Sequence, residues 1–185
     1  LTGASSTAAL RGRGSWNFVS VGGIAGHSDS GSMIESSWYR GSLRAENTGQ
    51  HSYAGGIAGN GTGEVTGAWT WAQTSASAAG GFVSAGGIAG DGNSIVKSSV
   101  AAGDRVDAST SYGTVYTGRI APRISPASLS NNHAYRALLL NGEIPSAGIG
   151  LSEINGADVL SDELVTRTFW EDTLGWDFAQ SPQDN

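Results

Sequence analysis

Four side chains with ligand-binding chemistry occur in two similar segments of the sequence. Residues 34–40 are Ile-Glu-Ser-Ser-Trp-Tyr-Arg, and residues 65–71 are Val-Thr-Gly-Ala-Trp-Thr-Trp. Residues two apart on a β-strand point to the same side, so each segment would present a tryptophan and a second large side chain together. Aromatic rings and guanidinium groups can stack on sugar rings and on peptide strands. The candidate ligand-binding residues are Trp38, Arg40, Trp69 and Trp71.

The sequence leaves open whether these four side chains face solvent. A shift of one residue in the register of a strand inverts its two faces. The alternate positions carry mostly small residues, such as Ser37, Ala68 and Ser99 in equivalent repeat positions, and small residues suit a narrow interior. If they point inward, the tryptophans and Arg40 form an exposed stripe. Otherwise the tryptophans belong to the core or lie under a loop.

Paired carboxylates are the main catalytic possibility. Asp29, Glu64 and Asp91 follow three glycine-rich segments by a few residues each. They could lie on one side of the molecule and act as general acid and base in carbohydrate cleavage. Turn residues produce the same spacing without any catalysis, so we predict no catalytic residues.

Metal and phosphate sites are also not indicated. The chain has three histidines, none with a second histidine within helical reach, and it has no cysteine. A zinc site normally requires such a pair or thiolates. The glycine-rich segments lack the Gly-Lys pair of a phosphate-binding loop. We therefore predict no metal ligands and no cofactor.

The elements that must position these residues repeat along the chain. Gly-Gly-Ile-Ala-Gly occurs three times and a degenerate copy follows, with the isoleucines 33, 31 and 32 residues apart. A fixed period of this size indicates a repeat architecture. The structural repeat residues are Gly23, Ile24, Gly26, Gly56, Ile57, Gly59, Gly87, Ile88, Gly90 and Ile120.

Repeats of this composition predict stacked strands. Each glycine disfavours a helix by about 1 kcal/mol relative to alanine, whereas glycine at the corners allows neighbouring coils to approach. We predict an all-β fold, a β-solenoid of about four coils closed by a small C-terminal cap with one short helix beginning near Ser161. The expected divisions are an N-terminal arm over 1–15, the repeats over 16–140 and an acidic cap over 141–185.

Charge and hydropathy exclude two classes of partner. The net charge is −6, and residues 141–185 contain one basic residue against nine acidic ones. A nucleic-acid-binding protein would normally show a basic face, and none is apparent from the sequence. No apolar run approaches the length of about 18 residues that a membrane-spanning helix needs. We predict neither nucleic-acid binding nor membrane insertion.

The Gly-Gly-Ile-Ala-Gly segments, which we call the glycine boxes, resemble those of the GLUG-repeat family of bacterial surface proteins. The family core of Gly, a large aliphatic residue, a further apolar residue and Gly matches residues 23–26, 56–59 and 87–90, with Ile and Ala where Leu and a larger residue are usual. The fourth copy departs further, with Arg119 and Pro122 in place of glycines. Motifs at 129–135, 155–159, 169–170 and 174–178 are similar to the usual end of GLUG arrays.

That resemblance implies an extracellular β-solenoid in an adhesin-like or otherwise cell-exposed protein. It implies no ligand, because such repeats occur beside many effector domains, including IgA-cleaving metallopeptidases. We expect a non-catalytic repeat module of the bacterial cell surface, acting in adhesion or as a rigid spacer. Its partner would be a glycan or a surface protein of a host or neighbouring cell.

Two alternatives belong to other classes. The chain could be a processed subunit of a self-assembling extracellular filament, joined end to end by strand edges or by residues 1–13. It could also be a solenoid-type carbohydrate-active enzyme that uses the acids Asp29, Glu64 and Asp91.

Overall fold

The computed structural model describes residues 1–91, 94–123 and 128–177, and it is a β-solenoid of about four turns. Strands of successive turns pair in parallel, one repeat apart: Trp38 pairs with Trp69, and Trp69 pairs with Val100. The predicted all-β solenoid is therefore confirmed.

The strands form three sheets that run along the stack. The broad sheet contains β1 (Ser5–Gly14), β2 (Phe18–Gly22), β5 (Trp38–Asn47), β6 (His51–Gly55), β9 (Trp69–Gly86), β11 (Val100–Ala101), β12 (Arg105–Gly118), β14 (His133–Tyr135), β15 (Leu139–Leu140) and β16 (Ala157–Val159). The narrow sheet contains β4 (Met33–Glu35), β8 (Glu64–Thr66), β10 (Ile95–Lys97) and β13 (Leu129–Ser130). The third sheet pairs β3 (Ala25–Ser28) with β7 (Ala58–Gly61).

The glycine boxes form one corner of each turn, and their isoleucines lie in a single column. The Ile24 amide donates to the Ile57 carbonyl at 3.0 Å, and the same bond links Ile57 to Ile88 and Ile88 to Ile120. The column continues beyond the predicted motif, because the Ile120 amide donates to the Ile154 carbonyl at 2.9 Å. Ile57, Ile88 and Ile120 are fully buried, so this column forms part of the core.

The second glycine of each box is required for space. A Cβ atom on Gly23 would lie 2.3 Å from the carbonyl oxygen of Gly56 and 2.3 Å from the Tyr39 ring. Gly56 and Gly87 have equivalent contacts with the next turn, at 2.0 Å and 2.1 Å. A methyl group would push adjacent turns apart, which explains the glycine at this position.

Arg119 replaces that glycine in the fourth copy and closes the array. Its side chain is fully buried. The guanidinium donates to the Asn155 carbonyl at 2.8 Å, to the Gly156 carbonyl at 3.2 Å and to the Asp158 carboxylate at 2.7 Å. The degenerate copy therefore connects the last full turn to the closing segment.

The first residues of the chain belong to the stack. Residues 1–15, which we expected to be an arm, contain β1, and β1 pairs with β5 over ten residues. Among the described residues β5 is the only strand that pairs with β1. Within the described residues, the other edge of β1 is therefore unpaired.

The segment expected to be a cap folds back along the side of the stack. A short helix, α1, spans Ser161–Leu164, and a separate π-helical turn spans Phe169–Thr173. Phe169 and Leu174 pack with Val100 and Val159, which lie on the broad sheet. Gly175, with φ of +73°, follows the end of this turn, where glycine in the left-handed region is common. Phe178 of the terminal motif, like the rest of 178–185, lies outside the described residues.

Candidate functional site

The burial pattern decides which way the candidate residues point. The small alternate residues Ser37, Ala68 and Ser99 are fully buried, and so is Tyr39. Because side chains alternate along a strand, the intervening Trp38, Arg40, Trp69 and Trp71 project outward. The structure thus brings all four to the outer face of β5 and β9.

The three tryptophans of this face have different environments. Trp38 and Trp69 stack on each other with ring centroids 5.4 Å apart, and the edge of Trp170 from the C-terminal segment packs against Trp69. Trp38 therefore contacts one ring and Trp69 contacts two. Trp71 is 48% exposed, and no aromatic ring of the described residues contacts it. Trp71 is the tryptophan of this stripe whose ring is free to stack on a ligand.

An irregularity in strand register lies beside Trp71. Four steps separate Trp69 from Gln73, but five separate their partners Val100 and Arg105. The segment between Val100 and Arg105 thus contains one extra residue, as in a β-bulge. Asp104 lies in this segment and is exposed. Such insertions redirect side chains and are common next to functional sites. Here Asp104 borders a depression of about 230 Å³ together with Arg40, Trp71 and Gln73.

A second depression continues along the same face. It has a volume of about 450 Å³ and shares Gln73 with the first. Its outward lining is polar: Ser42, Arg44, Gln73, Ser75, Ser77, Arg105, Asp107 and Ser109. Arg105 and Asp107 form a bidentate pair, with N–O distances of 2.6 and 3.0 Å, and hydrogen bonding to Asp107 raises the pKa of Arg105 further. The surface that extends from Trp71 is therefore an open groove lined by hydroxyl, amide and charged groups.

A second aromatic surface was not anticipated from the sequence. The rings of His51 and Phe82 stack at 5.4 Å, and Phe18 and Tyr53 lie beside them. The guanidinium of Arg123 covers Phe82 and Tyr116, with centroid distances of 5.2 and 4.8 Å. Phe18, His51 and Phe82 are 33 and 31 residues apart, which matches the isoleucine period, so the repeat alignment could have found this column.

The aromatic rings of this second surface contact one another, whereas Trp71 contacts no aromatic ring of the described residues. The Nδ1 atom of His51 accepts a hydrogen bond from the Phe82 amide at 2.9 Å. Burial, and then the charge of Asp91, raise the pKa of Tyr53, while Arg123 opposes them. The rings that stack on each other have less free face for a ligand, so the Trp71 groove is the stronger candidate site.

The three acids considered for catalysis are not assembled into one site. Asp29 lies 3.3 Å from His27, Glu64 is bonded to Lys97 at 3.0 Å, and Asp91 lies 3.5 Å from Arg123. Glu64 pairs with Met33 and Ile95 in the narrow sheet, whereas Asp29 and Asp91 lie in turns outside it. Each acid therefore has its own basic neighbour.

His133 follows Val100 in the column of Trp38 and Trp69. It is buried beneath Phe169, with ring centroids 5.3 Å apart. Burial lowers the pKa of His133. Within the described ranges no group of three or more His, Asp or Glu side chains could hold a metal ion, and no helix there has the length and apolarity to span a bilayer.

Comparison with solved structures identifies a similar chain, a candidate immunoglobulin A1 protease from Bacteroides ovatus whose crystal structure was determined at 1.30 Å resolution. The two share 22% sequence identity with a TM-score of 0.45, and the similarity covers 94% of this chain. It covers 53% of the other protein, so this chain spans about half the length of that one. No protein-family model matches the chain, and no curated protein does.

Proposed function

We propose that the chain is a non-catalytic adhesion module of a cell-exposed bacterial protein, of the GLUG-repeat type that its glycine boxes resemble. Its solenoid holds the outer face of β5 and β9 rigid, and a partner binds there. The observation that carries the proposal is the free ring of Trp71 beside a groove lined by Arg40, Gln73 and Asp104.

Rigidity is what makes this face suitable for binding. The strands below it pair over ten residues with a continuous register, and the side chains beneath it are buried. The backbone that carries Trp71 therefore loses little freedom when a partner binds, which limits the entropic cost of binding. The scattered positions of Asp29, Glu64 and Asp91 support a non-catalytic role.

The test is a binding screen of the purified chain against a glycan panel and a panel of extracellular-matrix proteins. We expect at least one partner to bind, Trp71→Ala to weaken that binding tenfold or more, and Phe82→Ala, on the other aromatic surface, to leave it unchanged. No binding to either panel, or equal loss in both variants, would overturn the proposal. Release of cleavage products from a bound partner would overturn its non-catalytic part.

A second candidate function is self-association through the exposed edge of β1. Long unpaired strands readily add a strand from another chain, and β1 has one free edge among the described residues. Light scattering of the wild type and of Ala9→Pro, which removes a backbone donor from β1, tests this role. Assemblies that the substitution dissolves would support it, and a wild-type monomer at high concentration would rule it out.

A further inference from the structure

The outer face that carries Trp71 also collects most of the arginines. The chain has nine arginines and a net charge of −6. Five of the nine project from this one face: Arg11 and Arg13 on β1, Arg40 and Arg44 on β5, and Arg105 on β12. We name these five side chains, together with Trp71, the arginine face.

Acidic residues on the same face do not neutralise it. Arg11 and Arg13 bind the Glu46 carboxylate at 2.5 and 3.0 Å, and Arg44 contacts it as well. Hydrogen bonding from Arg11 is the main cause that lowers the pKa of Glu46. Three guanidinium groups thus share one carboxylate. With Asp104 and Asp107 included, five positive charges face three negative ones.

Arg40 is the arginine of this face nearest to the free tryptophan. It lies directly across from Trp71 in the strand register and is exposed. No acidic side chain of the described residues forms an ion pair with it. Its guanidinium is therefore available to an acidic group of a ligand that stacks on Trp71.

Given the ligand-binding role proposed above, on which this step rests, we propose that the arginine face binds an acidic carbohydrate chain, with Trp71 stacked on a sugar ring and Arg40, Arg44 and Arg105 bound to the carboxylate or sulfate groups of the sugars.

The chemistry of the groove favours this ligand over others. Guanidinium groups bind carboxylates and sulfates through two parallel hydrogen bonds, which lysine cannot do. The serines and Gln73 along the floor offer donors and acceptors for sugar hydroxyls. The side chains of Arg44 and Arg105 remain 61% and 50% exposed although they contact Glu46 and Asp107, so an acidic ligand can reach both guanidinium groups from solvent. The volume of about 450 Å³ falls within the range of small-ligand sites.

The experiment measures binding by calorimetry to four probes at two salt concentrations: oligogalacturonate, sulfated dextran oligosaccharide, neutral dextran oligosaccharide and a single-stranded DNA oligomer. Comparison of the first two probes shows whether the chain recognises carboxylate or sulfate groups. We expect at least one of them to bind at least tenfold more tightly than neutral dextran, with affinity that falls as salt rises. As single substitutions, Arg40→Gln, Arg44→Gln and Trp71→Ala should each weaken that binding, Arg40→Gln and Trp71→Ala by tenfold or more. Arg167→Gln, which removes an exposed positive charge from the C-terminal segment, is the matched control and should leave it unchanged.

The outcomes separate this inference from the proposed function. Trp71-dependent binding of neutral dextran alone would overturn the acidic ligand and leave the adhesion module in place. DNA binding that exceeds that of both acidic glycans would overturn it in favour of a nucleic acid. An equal loss of affinity in Arg167→Gln would show that binding depends on net charge alone. It would overturn the assignment of Arg40 and Arg44 as ligand-binding residues. If the chain binds none of these probes and nothing in the glycan and matrix panels, both proposals are overturned.

Discussion

Replacing Gly56 by alanine tests the close approach of the turns that defines this solenoid. The new methyl group would lie 2.0 Å from the carbonyl oxygen of Gly87 and 2.6 Å from the Cγ2 atom of Thr70. The first of these contacts is to backbone, which a change of rotamer cannot relieve. Gly56 does not have a positive φ, so the substitution changes the available space without demanding a disfavoured backbone conformation.

The expected cost follows from the bonds that must lengthen. Relief requires the second and third turns to separate by more than an ångström at this corner. The affected hydrogen bonds are those from the Ile57 and Ala58 amides to the Ile88 carbonyl, at 2.8 and 3.1 Å, and from the Gly56 amide to the Gly86 carbonyl, at 3.3 Å. At about 1 kcal/mol each, their loss destabilises the fold by about 3 kcal/mol. For a chain of this size that lowers the thermal midpoint by roughly 6–12 °C.

Gly26→Ala provides a matched control within the same motif. A Cβ atom there would lie 3.3 Å from its nearest neighbour, the Ser20 carbonyl oxygen, and Gly26 is exposed. We expect a change within about 1 kcal/mol. Thermal and urea unfolding, followed by circular dichroism, measure both variants. If Gly56→Ala proves as stable as Gly26→Ala, the turns do not approach as described and the explanation of the repeat glycines is wrong.

Two further predictions concern the fourth turn and the C-terminal segment. Arg119→Met leaves the Asn155 and Gly156 carbonyls without their buried donor and should cost about 3 kcal/mol in urea unfolding. Arg136→Met, at an exposed site, should stay within about 0.5 kcal/mol, and similar values for the two would contradict the closing role of Arg119. Burial lowers the pKa of His133 in the folded state, so the unfolded chain takes up the proton first and the free energy of unfolding falls as pH drops from about 6.5 toward the lowered pKa. His133→Val, which copies Val100 of the preceding turn, should lose less stability than the wild type between pH 7 and 5, and identical pH profiles would refute this.

The repeating core could be predicted from sequence because one interaction sets each period. Ile24, Ile57, Ile88 and Ile120 must lie one above the other if the turns are to share backbone hydrogen bonds, and the structure shows this. The facing of Trp38 and Trp71 was predicted only conditionally, because a one-residue shift inverts a strand. In the structure Ser37, Ala68 and Ser99 are buried, so the tryptophans at the alternate positions face outward.

Other parts of the candidate site could not be predicted because they depend on contacts between distant residues. Phe169 and Leu174 pack beside Trp69 and Val100, and their short, irregular helical turns carry no period that would reveal this. The insertion at Asp104 becomes visible only when the pairing of Val100 with Trp69 and of Arg105 with Gln73 is known. The strand β1 was also hard to predict. Two of its inward residues, Ala8 and Gly12, are small, so the alternation of apolar and polar residues that marks a strand is weak there.

The most direct test of the account is an NMR titration of the six tryptophan indole signals, assigned by single Trp→Phe variants, with whichever acidic oligosaccharide binds. We expect the Trp71 signal to shift in proportion to saturation. The signal of Trp176, whose indole N–H donates to the Ser98 carbonyl, should stay in place. A stationary Trp71 signal, or shifts centred on Trp16, would place the ligand elsewhere and contradict the assignment of this face as the binding site.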